Sequence, residues 1–247
     1  MKIPINKKGK YAQRFIPYMW PWSHPDGIKY PNFWSWVMSR KFSLFYTLTI
    51  WVLLGILGYA ARRNCDEGPW QIVFQCDWSV WMGEYKTNFW HFLGTSFTAP
   101  WFHNDLPHLL FVTFFGFFFP VQSFEAQHGT KATITIYFLS YVFVLLFVGW
   151  LFNTLLIYWP DVHGISYPFT RAWMGGSVGI FALIGGLSYF SKKKWFTLSL
   201  VLVFELINHF IIGMNYYISL YHICASLFGW FSCWIWENSV RFKLKSY

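Results

Sequence analysis

Six apolar blocks, separated by polar or proline-bearing stretches, organise this chain: residues 44–60, 108–120, 132–152, 175–190, 195–212 and 218–236. Most approach the ~20 residues an α-helix needs to cross the hydrocarbon core of a bilayer, and the second block is the shortest. The strict alternation of a transmembrane barrel is absent. The pattern predicts an all-α membrane protein whose residues 44–236 form one six-transmembrane-helix bundle. Two loops interrupt it on one side, a long aromatic one at 61–106 and a shorter one at 153–174. A basic, aromatic arm at 1–43 precedes the bundle; its prolines break any regular helix, and its tryptophans suit the headgroup level. A basic tail at 237–247 follows. No internal repeat and no second globular domain stand out.

Composition agrees: of 247 residues, 55% are hydrophobic, 25% aromatic and only 12% charged. The net charge of +9 would suit nucleic acid if it were clustered, but its distribution points elsewhere. Lys2, Lys7, Lys8, Lys10, Arg14, Lys29, Arg40 and Lys41 precede the first block, and Lys131, the lysines at 192–194, Arg241, Lys243 and Lys245 fall in alternate later loops. Arg62, Arg63, Lys86 and Arg171 fall on the other side. This positive-inside asymmetry places both termini in the cytoplasm or its equivalent and assigns the basic charge to topology and anionic lipid, not nucleic acid. An integral protein of the plasma membrane or an inner organellar membrane is expected. The first forty residues contain no continuous apolar h-region, so no cleaved signal peptide is expected. Cys65 and Cys76 share the long outer loop and can pair if that side is oxidising, whereas Cys224 and Cys233 read as small core residues.

This topology brings chemistry together. Spans 2, 4 and 6 all run from outside to inside, and they begin near His108, Ser177 and His222. Three polar side chains therefore share one depth near the outer face. A serine hydroxyl becomes a nucleophile when a neighbouring base takes its proton, and neutral imidazole can take it and return it to a leaving amine. Ser177 also stands at a helix N-terminus, where free N–H groups favour an anion. Each residue has a plainer reading: serines among glycines allow close helix packing, and histidines at span ends are often interfacial. Their coincidence at one depth favours chemistry. Gly175, Ser177 and Gly179 also satisfy G-x-S-x-G, but the hydrolase elbow needs a strand and an α/β sheet that this pattern lacks.

With these residues in view, the chain resembles the rhomboid intramembrane serine proteases over 44–236. GGSVGIFALIGGL resembles the family's Gly-x-Ser-x segment, and His222 followed by Gly229 resembles its sixth-span histidine and packing glycine. His103 and His108 match its histidine pair at the start of span 2; Trp90 and the nearby TSF fit the approach to that pair. Glu125 and Gly129 resemble its Glu-x-x-x-Gly, one residue further from His108 than usual. The resemblance implies a Ser–His dyad without an acid, acting on membrane-anchored substrates near the outer face. It implies Ser177 as nucleophile, His222 as base, His108 and the Ser177 amide as oxyanion hole, and Phe181 as the ring packed on the base. It also implies that water enters from outside and that span 5 with the 213–217 loop gates the substrate. No cofactor is implied.

Three positions depart from the family. Val112 stands where an asparagine often helps bind the oxyanion; a lost donor is worth about 3 kcal/mol, roughly a hundredfold in rate. Val178 replaces a glycine after the serine and crowds the substrate backbone. Ala225 replaces a glycine three residues after His222, which would hold spans 4 and 6 slightly apart. Glu205 and His209, four apart on span 5, read as a structural polar pair within the bilayer, with a functional carboxylate as the alternative. No metal is expected: HExxH is absent, and the trio His103, His108 and His222 has no recognised zinc spacing. The leading expectation is a rhomboid-type serine endopeptidase that takes a transmembrane substrate helix. The alternative is an inactive rhomboid-like protein that binds partner membrane subunits within a larger complex.

Overall fold

A computed structural model describes residues 30–59, 65, 69–211 and 215–245, with side chains as far as Ser239. Most of the 1–43 arm, Arg62 and Arg63, residue 212 at the end of the fifth expected span, residues 213 and 214 of the expected gate loop, and the end of the basic tail lie outside the described residues. Among those described, regular structure is helical, and one isolated antiparallel bridge pairs Val80 with Trp173.

A short helix α1 (Phe33–Met38) leads into α2 (Lys41–Leu57). The carboxylate of Glu125 fixes where α2 begins: it accepts from the Phe42 and Ser43 backbone N–H groups, both at 2.8 Å, and from the Ser43 hydroxyl at 2.7 Å. An anion on otherwise unpartnered helix N–H groups is favourable, which accounts for a buried glutamate there. Gly58, at φ +70°, ends the helix.

Within the 61–106 loop lie α3 (Trp70–Asp77), α4 (Glu84–Thr87) and α5 (Phe89–Thr98). Cys65 and Cys76 are joined by a disulfide. The pair packs with Ala172, beside Trp81 and Met174, so it ties the 61–106 loop to the segment leading to Ser177.

Next come α6 (Leu106–Leu110), a π-helical stretch (Phe111–Val121) and α7 (Gln122–His128), which form one 23-residue rod, Leu106–His128. The sequence pattern expected this span to stop near Pro120. It continues because the wider π turn shifts the hydrogen-bond ladder, so the missing proline N–H and the ring's clash with the preceding turn matter less. Gly129, at φ +86°, makes the turn into α8 (Thr130–Tyr158), whose first hydroxyl, on Thr130, also donates to Glu125. Short helix α9 (His163–Ser166) lies in the next loop.

Helix α10 (Ser177–Tyr189) is the hub. Ten of its thirteen residues are buried, and it packs against α8, the rod, α11 (Lys194–Phe210) and α12 (Tyr216–Lys245). Among the described residues three helices, Leu106–His128, Thr130–Tyr158 and Tyr216–Ser239, are long and apolar enough to cross a membrane; Lys41–Leu57 and Ser177–Tyr189 are shorter apolar helices.

The α10–α12 crossing is made backbone to backbone. A Cβ on Gly185 would lie 1.9 Å from the Ser226 carbonyl oxygen, and one on Gly229 would lie 1.7 Å from that of Ala182. The Ser226 hydroxyl then donates to the His222 carbonyl at 2.9 Å and to the Phe181 carbonyl at 3.2 Å, pinning the crossing one turn from His222.

Candidate active site

The segment before α10 is held by backbone and side-chain bonds from three directions. Val80 and Trp173 exchange two backbone hydrogen bonds of 2.9 Å, and the Gly175 N–H donates to the Ala99 carbonyl at 3.0 Å. Tyr141 donates to the Gly175 carbonyl at 2.6 Å and Tyr137 to that of Gly176 at 3.1 Å. Gly175 has φ +120°, a conformation that favours glycine. A Cβ there would also lie 2.1 Å from Cε1 of His108, so the imidazole can rest directly on the backbone leading to Ser177.

Ser177 opens α10, and its Oγ lies 3.0 Å from Nε2 of His222 on α12. His222 is 4% exposed. The Phe181 ring, one turn after Ser177, lies parallel to the imidazole, with centroids 3.9 Å apart and planes within 6°. It fixes the ring plane, while the other nitrogen fixes its direction: Nδ1 of His222 is 2.8 Å from Oε1 of Glu205 on α11.

Glu205 therefore bonds differently from the sequence expectation. The partner expected from helical spacing was His209, yet Oε1 meets His222 and Oε2 has no hydrogen-bond partner among the described residues. His209 instead stands beside the rings of Phe210 and Tyr216, with centroids 4.7 and 6.4 Å away. The physical reason is orientation: Glu205 is buried on the inward face of α11, whereas His209 is only half-buried.

A cavity of about 570 Å³ opens beside this group and is lined by His108, Val178, Phe204, Asn208, Tyr221 and the two side chains Ser177 and His222, among others. His103 is buried, with its ring 5.1 Å from that of His108. Asp105 caps α6 by accepting from the His108 N–H at 2.7 Å, which fixes where His108 leaves the helix. Val112 is fully buried, is not among the cavity-lining residues, and packs close to Gly176. Ala225 is also fully buried, and the Oγ–Nε2 distance is 3.0 Å with the alanine in place.

Sequence reasoning did not single out Asn208, Tyr137, Tyr141 or Trp173. Asn208 lies one turn after Glu205, and that polar pair at helical spacing on a membrane helix was the available signal. The tyrosines act through hydroxyls on backbone carbonyls, which no short motif encodes.

Among the described residues no group of three metal-ligating side chains converges. The arrangement can support proton transfer from a hydroxyl to an imidazole beside a helix N-terminus, in a pocket large enough for part of a peptide. A family model described as the rhomboid domain matches residues 86–238, more than half of the chain. Comparison with curated proteins and with solved structures gives no match.

Proposed function

The chain belongs to the rhomboid family, and we propose that it is an intramembrane serine protease that cleaves membrane-anchored substrates near the outer face. It is an integral membrane protein with at least three helices of spanning length and composition. The single observation that carries the proposal is the 3.0 Å approach of Ser177 Oγ to His222 Nε2 at the wall of a cavity of about 570 Å³.

In the proposed topology α2, the α6–α7 rod, α8, α10, α11 and α12 are the six spans of a 44–236 core. The 1–43 arm and the 237–247 tail lie on the basic, cytoplasmic side. Support comes from the charge asymmetry and from the Cys65–Cys76 disulfide, which suits an oxidising outer compartment. Helix α10 is only about 20 Å long at 1.5 Å per residue, so its N-terminus sits below the membrane surface when its C-terminus reaches the other side.

Ser177 Oγ attacks the scissile carbonyl as His222 Nε2 takes its proton. The tetrahedral oxyanion is held by the Ser177 N–H and the His108 side chain. Collapse breaks the peptide C–N bond, and the leaving amine receives the proton from Nε2. Water then attacks the acyl-enzyme, again giving a proton to Nε2, and the carboxylic product departs as Ser177 regains its hydrogen. Phe181 keeps the imidazole face-on throughout, while Gly175 and His103 support His108. Glu125, Gly129 and Gly229 hold the surrounding helices. Substrate enters past α11.

One observation favours a second reading, a helix-binding subunit without activity: Val112 offers no donor to an oxyanion and is turned into the packing beside Gly176. A serine-directed fluorophosphonate separates the two. The protease reading expects labelling of the wild-type protein in membranes and its loss in Ser177→Ala; an unlabelled wild type across detergents and lipids would leave the subunit reading.

A further inference from the structure

We propose that Glu205 is a third member of the group, a positioning residue that orients and charge-balances His222, so that the site is a Ser–His–Glu triad assembled from three helices. The proposal rests on the protease reading above and deepens it, since the dyad implied by family resemblance contains no acid.

The geometry spans the imidazole from both sides. Nε2 is 3.0 Å from Ser177 Oγ and Nδ1 is 2.8 Å from Glu205 Oε1. The Glu205 and His222 side chains are only 1% and 5% exposed. An ionised carboxylate only accepts hydrogen bonds. Opposite such a group Nδ1 must carry the hydrogen, which leaves the lone pair on Nε2, facing the hydroxyl. This is the tautomer a general base requires. When Nε2 takes the Ser177 proton, the imidazolium finds an anion already in contact, in a setting where bulk water screens little.

A purely structural role explains the carboxylate less well. A buried glutamate held for packing satisfies both oxygens, as Glu125 does with backbone N–H groups and hydroxyls. Glu205 Oε2 has no hydrogen-bond partner among the described residues, and the imidazole is the polar group that Oε1 meets. Removing an isolated carboxylate from water is costly, so its retention here goes with its effect on the imidazole. Its neighbours on α11, Phe204 and Asn208, line the cavity, while Glu205 itself is buried against the imidazole and is not among the lining residues. The triad is complete only while α11 is docked against α12.

Glu205→Gln keeps size and hydrogen bonding but removes the charge and the acceptor-only character. In the full-length protein in nanodiscs, the expected result is a fall of about 10²–10⁴-fold in kcat and in the rate of fluorophosphonate labelling. KM for a single-span model substrate and the thermal unfolding midpoint should stay near wild type. A structural role alone predicts the opposite split, with loss of stability and little change in kcat per folded molecule. Ring-¹⁵N NMR of histidine-labelled wild-type protein supplies a readout that needs no variant to fold. The hydrogen of His222 is expected on Nδ1, with a strongly downfield proton resonance that disappears in His222→Ala. Labelling of Glu205→Gln at the wild-type rate, or a resting hydrogen on Nε2 of His222, overturns the triad while leaving the protease reading standing. An unlabelled wild type overturns the protease reading, and the triad with it.

Discussion

At the residue scale, the chemistry depends on small groups placed where larger ones would collide. Gly175 combines φ +120° with a position where a Cβ would meet His108 at 2.1 Å. Gly175→Ala is therefore expected to push the imidazole off the backbone leading to Ser177. If His108 donates to the oxyanion, kcat falls about 100-fold while substrate binding changes little. Steady-state kinetics on a model substrate checks this, and an unchanged kcat would remove His108 from the mechanism. Ser177 and His222 stood out in the sequence because the topology puts a serine among glycines and a histidine at a span start at one depth, whereas Phe181 came only from the family resemblance; the structure brings the three side chains together. The bond from Glu205 to His222 was not legible in the sequence, since seventeen positions and a helix turn-around separate the two. Helical spacing offered His209 as the nearer partner, and only the rotation of α11 decides between them.

At the element scale, the distance between Ser177 and His222 is set by how closely α10 and α12 approach. Their contact is glycine against carbonyl at Gly185–Ser226 and Gly229–Ala182. Gly229→Ala inserts a methyl group where 1.7 Å is open, so the helices must part. Overpacking of this kind typically destabilises by about 1–3 kcal/mol. A lower unfolding midpoint and slower fluorophosphonate labelling are both expected. A midpoint equal to wild type would mean that the crossing is looser than the geometry shows. The family resemblance implied Gly229 as a packing glycine, whereas its partner carbonyl was not implied by it. Helix type was legible from hydropathy, but helix ends were less so. The rod runs through Pro120 to His128 because a π-helical stretch accommodates the proline, and hydropathy carries no trace of that backbone change.

At the scale of the whole molecule, the 61–106 loop braces the site. The Cys65–Cys76 disulfide packs on Ala172, next to Trp173, which pairs with Val80 just before the serine helix. Cys65→Ser, or mild reduction, is expected to lower stability by about 2–4 kcal/mol and to slow labelling of Ser177. Thermal unfolding with and without reductant measures the first effect. In an Asn88→Cys variant, at an exposed position of the same loop, the added thiol should react with a membrane-impermeant maleimide from the side opposite the basic termini; reaction only from the basic side would reverse the proposed topology. The sequence alone determined that the chain is a helical membrane protein, which end of each span is polar, and which side chains could meet at one depth. Hydrophobic length, charge asymmetry and residue type act locally along the chain and need no neighbour. The tertiary structure decided that Glu205 faces His222, that Val112 turns into packing, and that the 61–106 loop clasps the approach to Ser177. Those outcomes depend on the rotation of each helix about its axis and on its distance from the next, and packing of the assembled bundle sets both.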